Sequence, residues 1–459
     1  MKTNPPPPAS KPVSTPKTSP KNLRPLPFDH IEKHKLDFFA SCPPGLEPLL
    51  EKEIQQLQVK STKLAQGGVE FEAYNEKALE LIFTSRIASR VFKKYYSFKI
   101  GKINDLYRRS RDIKWKAIFD VQSSFKIITT TSKKTHFHLF ADFSNTLYVS
   151  QIVKDGIVDR FKSDLGVRPT VDTEHPKVTI HCHLTYPKEE GSEIIEVSIL
   201  LDLCGDPLSD RGYRPLARGA VAPLRENLAA GLVLLTEWKP YSEQFIDLMC
   251  GSGTLLMEAY MWAKSLPPSA FRLDLYQKTH DEIWAFQNLE WFKKDAYLID
   301  NFNILMKKYW ELSSPIFEAD TTTSLVKANN SKKIRLLGID IDDQSVHFTE
   351  KIRQLLRAEK SIEVKKMDCL KYTPERGPKL VLVNPPYGER LNAGETEYLE
   401  NLYFSLGEKW KHDYDETRAF VFSSNFSLLK RISLRPDKKW ILFNGPLEAR
   451  LAHYPVRKL

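Results

Sequence analysis

The sequence lacks any apolar run as long as the roughly 18 residues that a membrane-spanning helix needs. Its longest apolar segment, residues 227–238, is shorter and predicts a core helix. No two cysteines form a CxxC pair, and the five cysteines, an odd number, lie mostly within strand-like apolar stretches. This usage favours reduced thiols. We therefore expect a cytoplasmic protein with neither a membrane span nor a disulfide framework.

Acidic residues are missing from the first 28 positions, which carry five Lys or Arg. Residues 1–35 combine many prolines with Ser, Thr and Lys, so they cannot bury enough apolar area to offset the entropy cost of ordering. The segment also lacks the apolar core of a secretory signal. We expect a disordered Pro/Lys-rich tail over residues 1–35, which is either an electrostatic arm for RNA or an inert extension.

The rest of the chain is long enough for more than one core, because 41% of the 459 residues are apolar. Short strands and helices alternate over residues 36–203 and predict an α+β module. The net charge of +10 suits a phosphate-rich partner, although a basic protein without a nucleic-acid role would carry it too. The basic residues that cluster here without matching acids are Lys133, Lys134, Arg160 and Arg168. They predict a phosphate-facing surface.

The sequence offers one pattern that resembles a metal site, His181-Cys182-His183. The alternation over residues 178–184 is typical of a strand that presents both faces, so these three side chains would not converge. No metal site is expected.

After residue 203 the chain alternates strands and helices at the spacing of a doubly wound parallel sheet. The second domain therefore covers residues 204–459. The stretch Phe245–Thr254 ends a strand in Asp247 and opens a helix after two glycines, which lets the backbone approach a ligand. The next matching strand comes only near residue 334, so residues 261–333 are predicted to be largely a helical insertion.

Three further strands end in polar residues. Asp340 follows the second strand, Asp368 the third and Asn384 the fourth, and the carboxyl ends of parallel strands share one edge of the sheet. An acid at the Asp340 position can bind both hydroxyls of a ribose, and Asp368 can accept a hydrogen bond from an adenine amino group. The fourth strand stops at Asn-Pro-Pro-Tyr because neither proline can continue a helix or a sheet ladder.

This order of motifs resembles the class I S-adenosylmethionine-dependent methyltransferases, and Asn-Pro-Pro-Tyr resembles the signature of members that methylate a conjugated nitrogen. By this resemblance, the Asn384 side-chain oxygen and the Pro385 carbonyl accept the two N–H bonds of the target amine. Pro386 helps to hold that carbonyl outward, and Tyr387 offers a face on which an extruded base stacks. Positioning can then carry most of the rate acceleration.

Across residues 36–459 the chain resembles bacterial THUMP-domain RNA methyltransferases that modify the 2-amino group of guanine in 23S ribosomal RNA. The resemblance lies in residues 38–47, 211–214, 247–254, 384–390 and 443–451. It implies a ferredoxin-like and THUMP RNA-binding module in front of a Rossmann-like domain with a mostly parallel seven-stranded sheet. The cofactor-binding residues that it implies are Asp247, Cys250, Gly251, Gly253, Thr254, Asp340, Asp368, Cys369, Pro223 and Asn227. Arg211 and Arg214 are candidates for RNA phosphate contact.

Met249 departs from the family pattern, which commonly has proline there. Some relatives continue into a second methyltransferase domain, and because this sequence ends at Leu459, that second activity is expected to be absent. Partners are expected to be 23S rRNA or a large-subunit precursor, with no DNA and no membrane. The alternatives are a tRNA guanine methyltransferase with the same parts, a protein glutamine methyltransferase and a ribosome-assembly protein without catalysis. The basic module argues against the second, and the four polar strand ends argue against the third.

Overall fold

The computed structural model describes residues 36–132, 143–187, 194–213, 224–317, 333–388 and 393–456. The predicted tail, residues 1–35, lies outside them, as do Lys133, Lys134, Arg214 and Pro223. None of the helices in the described part of the chain has the length and apolarity to cross a membrane. All five cysteines are buried free thiols.

The first sheet has seven strands in the order β2-β3-β1-β4-β7-β6-β5. Its strands are β1 Leu36–Ser41, β2 Ser61–Ala65, β3 Gly68–Ala73, β4 Arg90–Ile100, β5 Phe125–Thr131, β6 Val178–Thr185 and β7 Ile195–Asp202. Its helices are α1 Glu47–Gln56, α2 Asn75–Thr84, α3 Ile103–Asp112 and α4 Thr146–Leu165, with a 3-10 turn at Trp115–Ala117. Only β5 and β6 pair in parallel.

Strand β4 joins the two parts of this sheet, because it pairs with β1 on one side and β7 on the other. Its 11 residues are long enough for both partners, and a bulge at residues 94–96 adjusts the register toward β7. Helix α4 begins where the Asn145 side chain accepts hydrogen bonds from two backbone amides, and it ends at Gly166 in the left-handed region. The predicted α+β module is therefore built on one continuous sheet.

The second sheet has seven strands in the order β10-β9-β8-β11-β12-β14-β13. The strands are β8 Gln244–Asp247, β9 Leu336–Asp340, β10 Ile362–Lys366, β11 Lys379–Val383, β12 Thr417–Ser423, β13 Lys438–Asn444 and β14 Leu447–Val456. The first five of these strands are mutually parallel, and β14 and β13 are antiparallel. The predicted Rossmann-like sheet is confirmed.

Helices pack against both faces of this sheet. They are α5 Glu226–Leu235, α6 Thr254–Ala263, α7 Ala270–Thr279, α8 Glu290–Lys293, α9 Ala296–Phe317, α10 Asp343–Leu355, α11 Ala393–Asp413 and α12 Phe426–Leu429, with 3-10 turns at Ala285–Asn288 and Cys369–Lys371. Strand order reverses between β8 and β11, which opens a crevice at the carboxyl ends of these strands. We call this side of the sheet the carboxyl edge.

Helices α7 to α9 lie between β8 and β9 in the chain and pack against the first sheet's helix α2. The Phe83 ring meets Trp284 edge-on at 5.1 Å between centroids. The Tyr309 hydroxyl donates a 2.9 Å hydrogen bond to the Glu80 carboxylate. The helical segment predicted within residues 261–333 thus connects the two sheets.

Candidate active site at the carboxyl edge of the second sheet

The glycine turn, Cys250–Thr254, leads from β8 into α6. Gly251 and Gly253 have φ of 52° and 76°, values that side-chain-bearing residues rarely adopt. A Cβ atom on Gly253 would lie 2.7 Å from the Thr349 side chain, whereas one on Gly251 would meet nothing within 4 Å. Thr349 also donates a 2.8 Å hydrogen bond to the Gly251 carbonyl. The turn is therefore packed on its Gly253 side and open on its Gly251 side.

Asp340 at the end of β9 is aligned by two backbone amides. Its Oδ2 accepts a hydrogen bond from the Gly251 amide at 2.8 Å, and its Oδ1 accepts one from the Asp342 amide at 3.0 Å. The side chain remains partly exposed. Because each carboxylate oxygen can accept more than one hydrogen bond, Asp340 can still bind ligand hydroxyls beside the open face of Gly251.

Asp247 at the end of β8 is buried, in contrast to Asp340. Burial raises the pKa of Asp247 to about 8, and the neighbouring Asp340 carboxylate adds to this effect. A hydrogen bond of 3.3 Å from the Met249 amide to Asp247 Oδ1 acts in the opposite direction. Asp247 therefore shapes the turn from beneath, and Asp340 presents the accessible carboxylate.

Asp368 and the two nearby cysteines complete this side of the edge. Asp368 caps the 3-10 turn after β10 by accepting a 3.0 Å hydrogen bond from the Leu370 amide, and it is half-buried. Burial raises the pKa of the Cys369 thiol to about 12, and burial raises the pKa of Cys250 well above its ordinary value. Both thiols are thus protonated at neutral pH and fill space beside the site rather than acting as nucleophiles.

Asn384 follows β11 and brings an unsatisfied acceptor to the edge. Its Oδ1 is buried and accepts no hydrogen bond from any residue in the described ranges. A buried polar atom without a partner is costly, so its retention indicates a ligand group that fills the role. Pro385 is buried and Pro386 exposed, and neither has an amide hydrogen with which to extend the β11 ladder.

Tyr387 is half-buried and is held by three side chains. Its hydroxyl accepts a 3.2 Å hydrogen bond from Asn444, and its backbone carbonyl accepts one of 3.4 Å from Asn425. Tyr403 donates a 3.3 Å hydrogen bond to the Pro386 carbonyl. The sequence reasoning missed Tyr403 and Asn425, which come from helix α11 and the start of α12. It included Asn444 in a motif without assigning it a role.

Asn227 lies outside this group of contacts. Its Nδ2 donates hydrogen bonds to the Ile87 carbonyl at 3.2 Å and to Ser89 Oγ at 2.9 Å. Its Oδ1 is buried and has no partner within the described ranges. The side chain thus connects α5 to the residues that precede β4, and only its oxygen is left for the predicted cofactor role.

The structure corrects two of the predicted RNA contacts. The Arg211 side chain is 1% exposed, and its guanidinium is bound by Glu258 and by two carbonyls, so it cannot reach a phosphate at the surface. Arg160 was expected to lack a matching acid, but its Nε lies 3.0 Å from Asp164. Arg168 is exposed and forms no ion pair with the residues that the structure describes. It remains a predicted RNA contact.

Comparison with known protein families assigns this arrangement. A family model described as an RMKL-like methyltransferase domain matches residues 211–453, which is more than half of the chain. The chain belongs to the RMKL-like methyltransferase family. In this family member, an RlmL ferredoxin-like domain matches residues 37–92 and a THUMP domain matches residues 102–186. The predicted combination of a THUMP module with a methyltransferase domain is confirmed.

Relatives of this RMKL-like chain carry the name ribosomal RNA large subunit methyltransferase K/L. The protein of that name from Psychromonas ingrahamii is 31% identical over 92% of this chain and 50% of its own length. The one from Legionella pneumophila strain Lens is 32% identical over 90% of this chain and 52% of its own length. The chain thus spans about half the length of the curated relatives it matches. The crystal structure of SMU.472 complexed with SAH superimposes with a TM-score of 0.72 at 21% identity, covering 93% of this chain and all of that chain, which shows the shared fold.

Proposed function

We propose that this RMKL-like protein is an S-adenosylmethionine-dependent RNA methyltransferase that modifies the exocyclic 2-amino group of a guanine in 23S rRNA, in the cytoplasm. The relatives' name, ribosomal RNA large subunit methyltransferase, supports the substrate class. The THUMP match supports an RNA partner. We also propose that the RNA-binding module ends near residue 203, because the first sheet ends at Asp202 and the methyltransferase match begins at Arg211.

One observation carries the proposal, namely the buried Asn384 Oδ1 without a partner in the described ranges. A buried acceptor calls for an N–H or O–H donor, and an exocyclic amino group has two N–H bonds to donate. The carbonyl of Pro385 is the second acceptor that this proposal assigns. Two acceptors that each take one N–H fix the plane of the amine, so its lone pair is directed to one side. Orientation of this kind accelerates a transfer without a catalytic base.

The residues fit the proposed cofactor. The open face of Gly251 leaves room for a ligand beside the turn, and the partly exposed Asp340 is aligned to accept ribose hydroxyls. Asp368 offers a half-buried carboxylate for an adenine amino group. S-adenosylmethionine, when bound, supplies an electrophilic methyl group. Asp247, kept in the wall of the site, leaves Asp340 as the carboxylate that meets the ligand.

Nucleoside mass mapping of rRNA and tRNA tests the substrate. Cells that lack the gene should lose one 2-methylguanosine from 23S rRNA. A loss from tRNA instead would replace this proposal with the tRNA alternative. Unchanged rRNA and tRNA would favour the assembly protein without catalysis.

The Asn384→Ala variant tests the catalytic assignment. Removal of the acceptor should lower methyl transfer to a 23S rRNA transcript by about 100-fold or more, while RNA affinity stays within about 2-fold. A matched control is Asn301→Ala, because the Asn301 Nδ2 donates a 2.9 Å hydrogen bond to a carbonyl within α9. Equal turnover in Asn384→Ala and the control would remove Asn384 from the mechanism.

A further inference from the structure

The Tyr387 segment is held from three elements of the second sheet and its helices. Asn444 at the end of β13 donates a hydrogen bond to the Tyr387 hydroxyl. Asn425 before α12 donates to the Tyr387 carbonyl, and Tyr403 of α11 donates to the Pro386 carbonyl. The backbone and the far end of the ring are therefore fixed independently, and only Asn444 contacts the ring end.

The backbone half of this arrangement has a defined orientation. Asn425 Oδ1 accepts the Leu428 amide at 3.1 Å as the N-cap of α12, so its Nδ2 is the group that faces the Tyr387 carbonyl. The Asn425 amide in turn donates to Ser423 Oγ at 3.1 Å, and Ser423 Oγ shares a 3.2 Å hydrogen bond with Tyr403. These linked bonds fix the carbonyls and leave the ring free to rotate unless its hydroxyl is also held.

Asn444 comes from a rigid part of the chain. It pairs with Leu447 across a two-residue turn, Gly445-Pro446, at the tip of the β13–β14 hairpin. Gly445 has φ of 63°, as the first central position of a type II′ turn requires, and such turns match the twist of the flanking strands. Asn444 itself is half-buried. Its amide is therefore delivered to Tyr387 by the backbone of the hairpin rather than by a mobile surface side chain.

We propose that Asn444 is a positioning residue that holds the Tyr387 ring in the orientation in which the target base stacks on it. This inference rests on the proposed function, because it assigns the ring to an extruded base. A ring that is already held when the base arrives loses less conformational freedom on binding. Asn444 acts through Tyr387 and does not touch the reacting atoms. Its loss therefore affects the RNA and leaves cofactor binding unchanged.

A double-mutant cycle tests this role. The variants are Asn444→Ala, which removes the donor, Tyr387→Phe, which removes the acceptor and keeps the ring, and the double variant. Methyl transfer from S-adenosylmethionine to 23S rRNA and tRNA transcripts gives kcat and KM for RNA separately. Calorimetry with S-adenosylmethionine and the thermal unfolding midpoint serve as readouts of the cofactor site and of stability. Asn301→Ala is again the control.

Each single variant should lower kcat/KM for RNA by about threefold to tenfold, the range for one side-chain hydrogen bond. The double variant should be no worse than the weaker single variant, because both changes remove the same bond. Cofactor affinity should equal that of the wild type, and Asn444→Asp, which keeps the shape and loses the donor, should match Asn444→Ala.

Two results would overturn the positioning role while leaving the proposed function intact. One is an Asn444→Ala variant with the kcat/KM of the Asn301→Ala control. The other is losses that multiply in the double variant. A wild-type chain that methylates tRNA but not 23S rRNA would overturn the proposed substrate only, and the cycle would then be scored on tRNA. A wild type that methylates neither RNA would overturn both.

Discussion

Replacement of Arg211 by Met should destabilise the protein strongly, although the residue was first expected to contact RNA. Arg211 and Glu258 are both buried, with Nε and Oε1 3.3 Å apart. The two terminal nitrogens of Arg211 donate hydrogen bonds of 2.6 Å to the carbonyls of Leu208 and Arg86. Tyr213 donates a further 2.9 Å bond to Glu258. This cluster connects the first sheet's module to helix α6 directly behind the glycine turn.

The magnitude follows from what the substitution leaves behind. Arg211→Met strands the Glu258 carboxylate in the core with only the Tyr213 hydroxyl as a hydrogen-bond donor among the described contacts. It also removes a donor from each of two carbonyls. Removal of one partner from a buried ion pair costs about 3–5 kcal/mol. The neighbouring Arg86 charge still attracts Glu258, so we expect the low end, about 3 kcal/mol.

Urea unfolding followed by tryptophan fluorescence measures this loss. Arg168→Met is the matched control, because Arg168 is exposed, and its stability should stay within about 0.5 kcal/mol of the wild type. The double variant Arg211→Met/Glu258→Leu should recover part of the loss, since it no longer buries an unpaired charge. If Arg211→Met matched the Arg168→Met control in stability and instead lowered RNA affinity with a reduced salt slope, Arg211 would be a phosphate contact after all.

Three further substitutions probe the cofactor side of the edge. Asp340→Ala should weaken S-adenosylmethionine binding in calorimetry by about tenfold or more, the worth of a hydrogen bond to a charged group, and undiminished affinity would exclude this acid from the site. Burial raises the pKa of Asp247 from 3.8 to about 8, so the wild type loses stability as pH rises through this window; Asp247→Asn should therefore gain stability relative to it, and parallel pH curves in urea unfolding would contradict this. Gly253→Ala should destabilise more than Gly67→Ala, since both have positive φ but only the former would meet Thr349, and equal thermal midpoints would refute the contact.

The elements that carry the chemistry could be predicted because their signals are local. The strand expected to end in Asp247 is β8, the one expected over residues 380–383 is β11, and the apolar segment 227–238 lies largely within α5. Parallel strands in a doubly wound sheet place their carboxyl ends at one edge, so alternation and strand-ending residues were enough to bring Asp340 and Asn384 together. Asp368 followed by the same rule.

Pairings between distant segments could not be predicted in this way. Whether an arginine meets a phosphate or an acid depends on which helix packs against it, and Glu258 lies 47 positions beyond Arg211 in the chain. The holders of Tyr387 come from α11, α12 and a hairpin, and no periodicity relates them to Asn-Pro-Pro-Tyr. The continuity of the first sheet through β4 likewise depends on strand pairing across long loops.

The amino-acid sequence by itself determined the two kinds of sheet, the family and the polar residues at the strand ends, because hydrophobic period, glycine and proline act on their immediate neighbours. Only the tertiary structure decided which of those polar groups stay open to a ligand and which are consumed in the core. Burial and hydrogen-bond partners are properties of packing between segments far apart in the chain. For that reason Asp247 and Asp340 differ in exposure and in protonation although the sequence presents them alike.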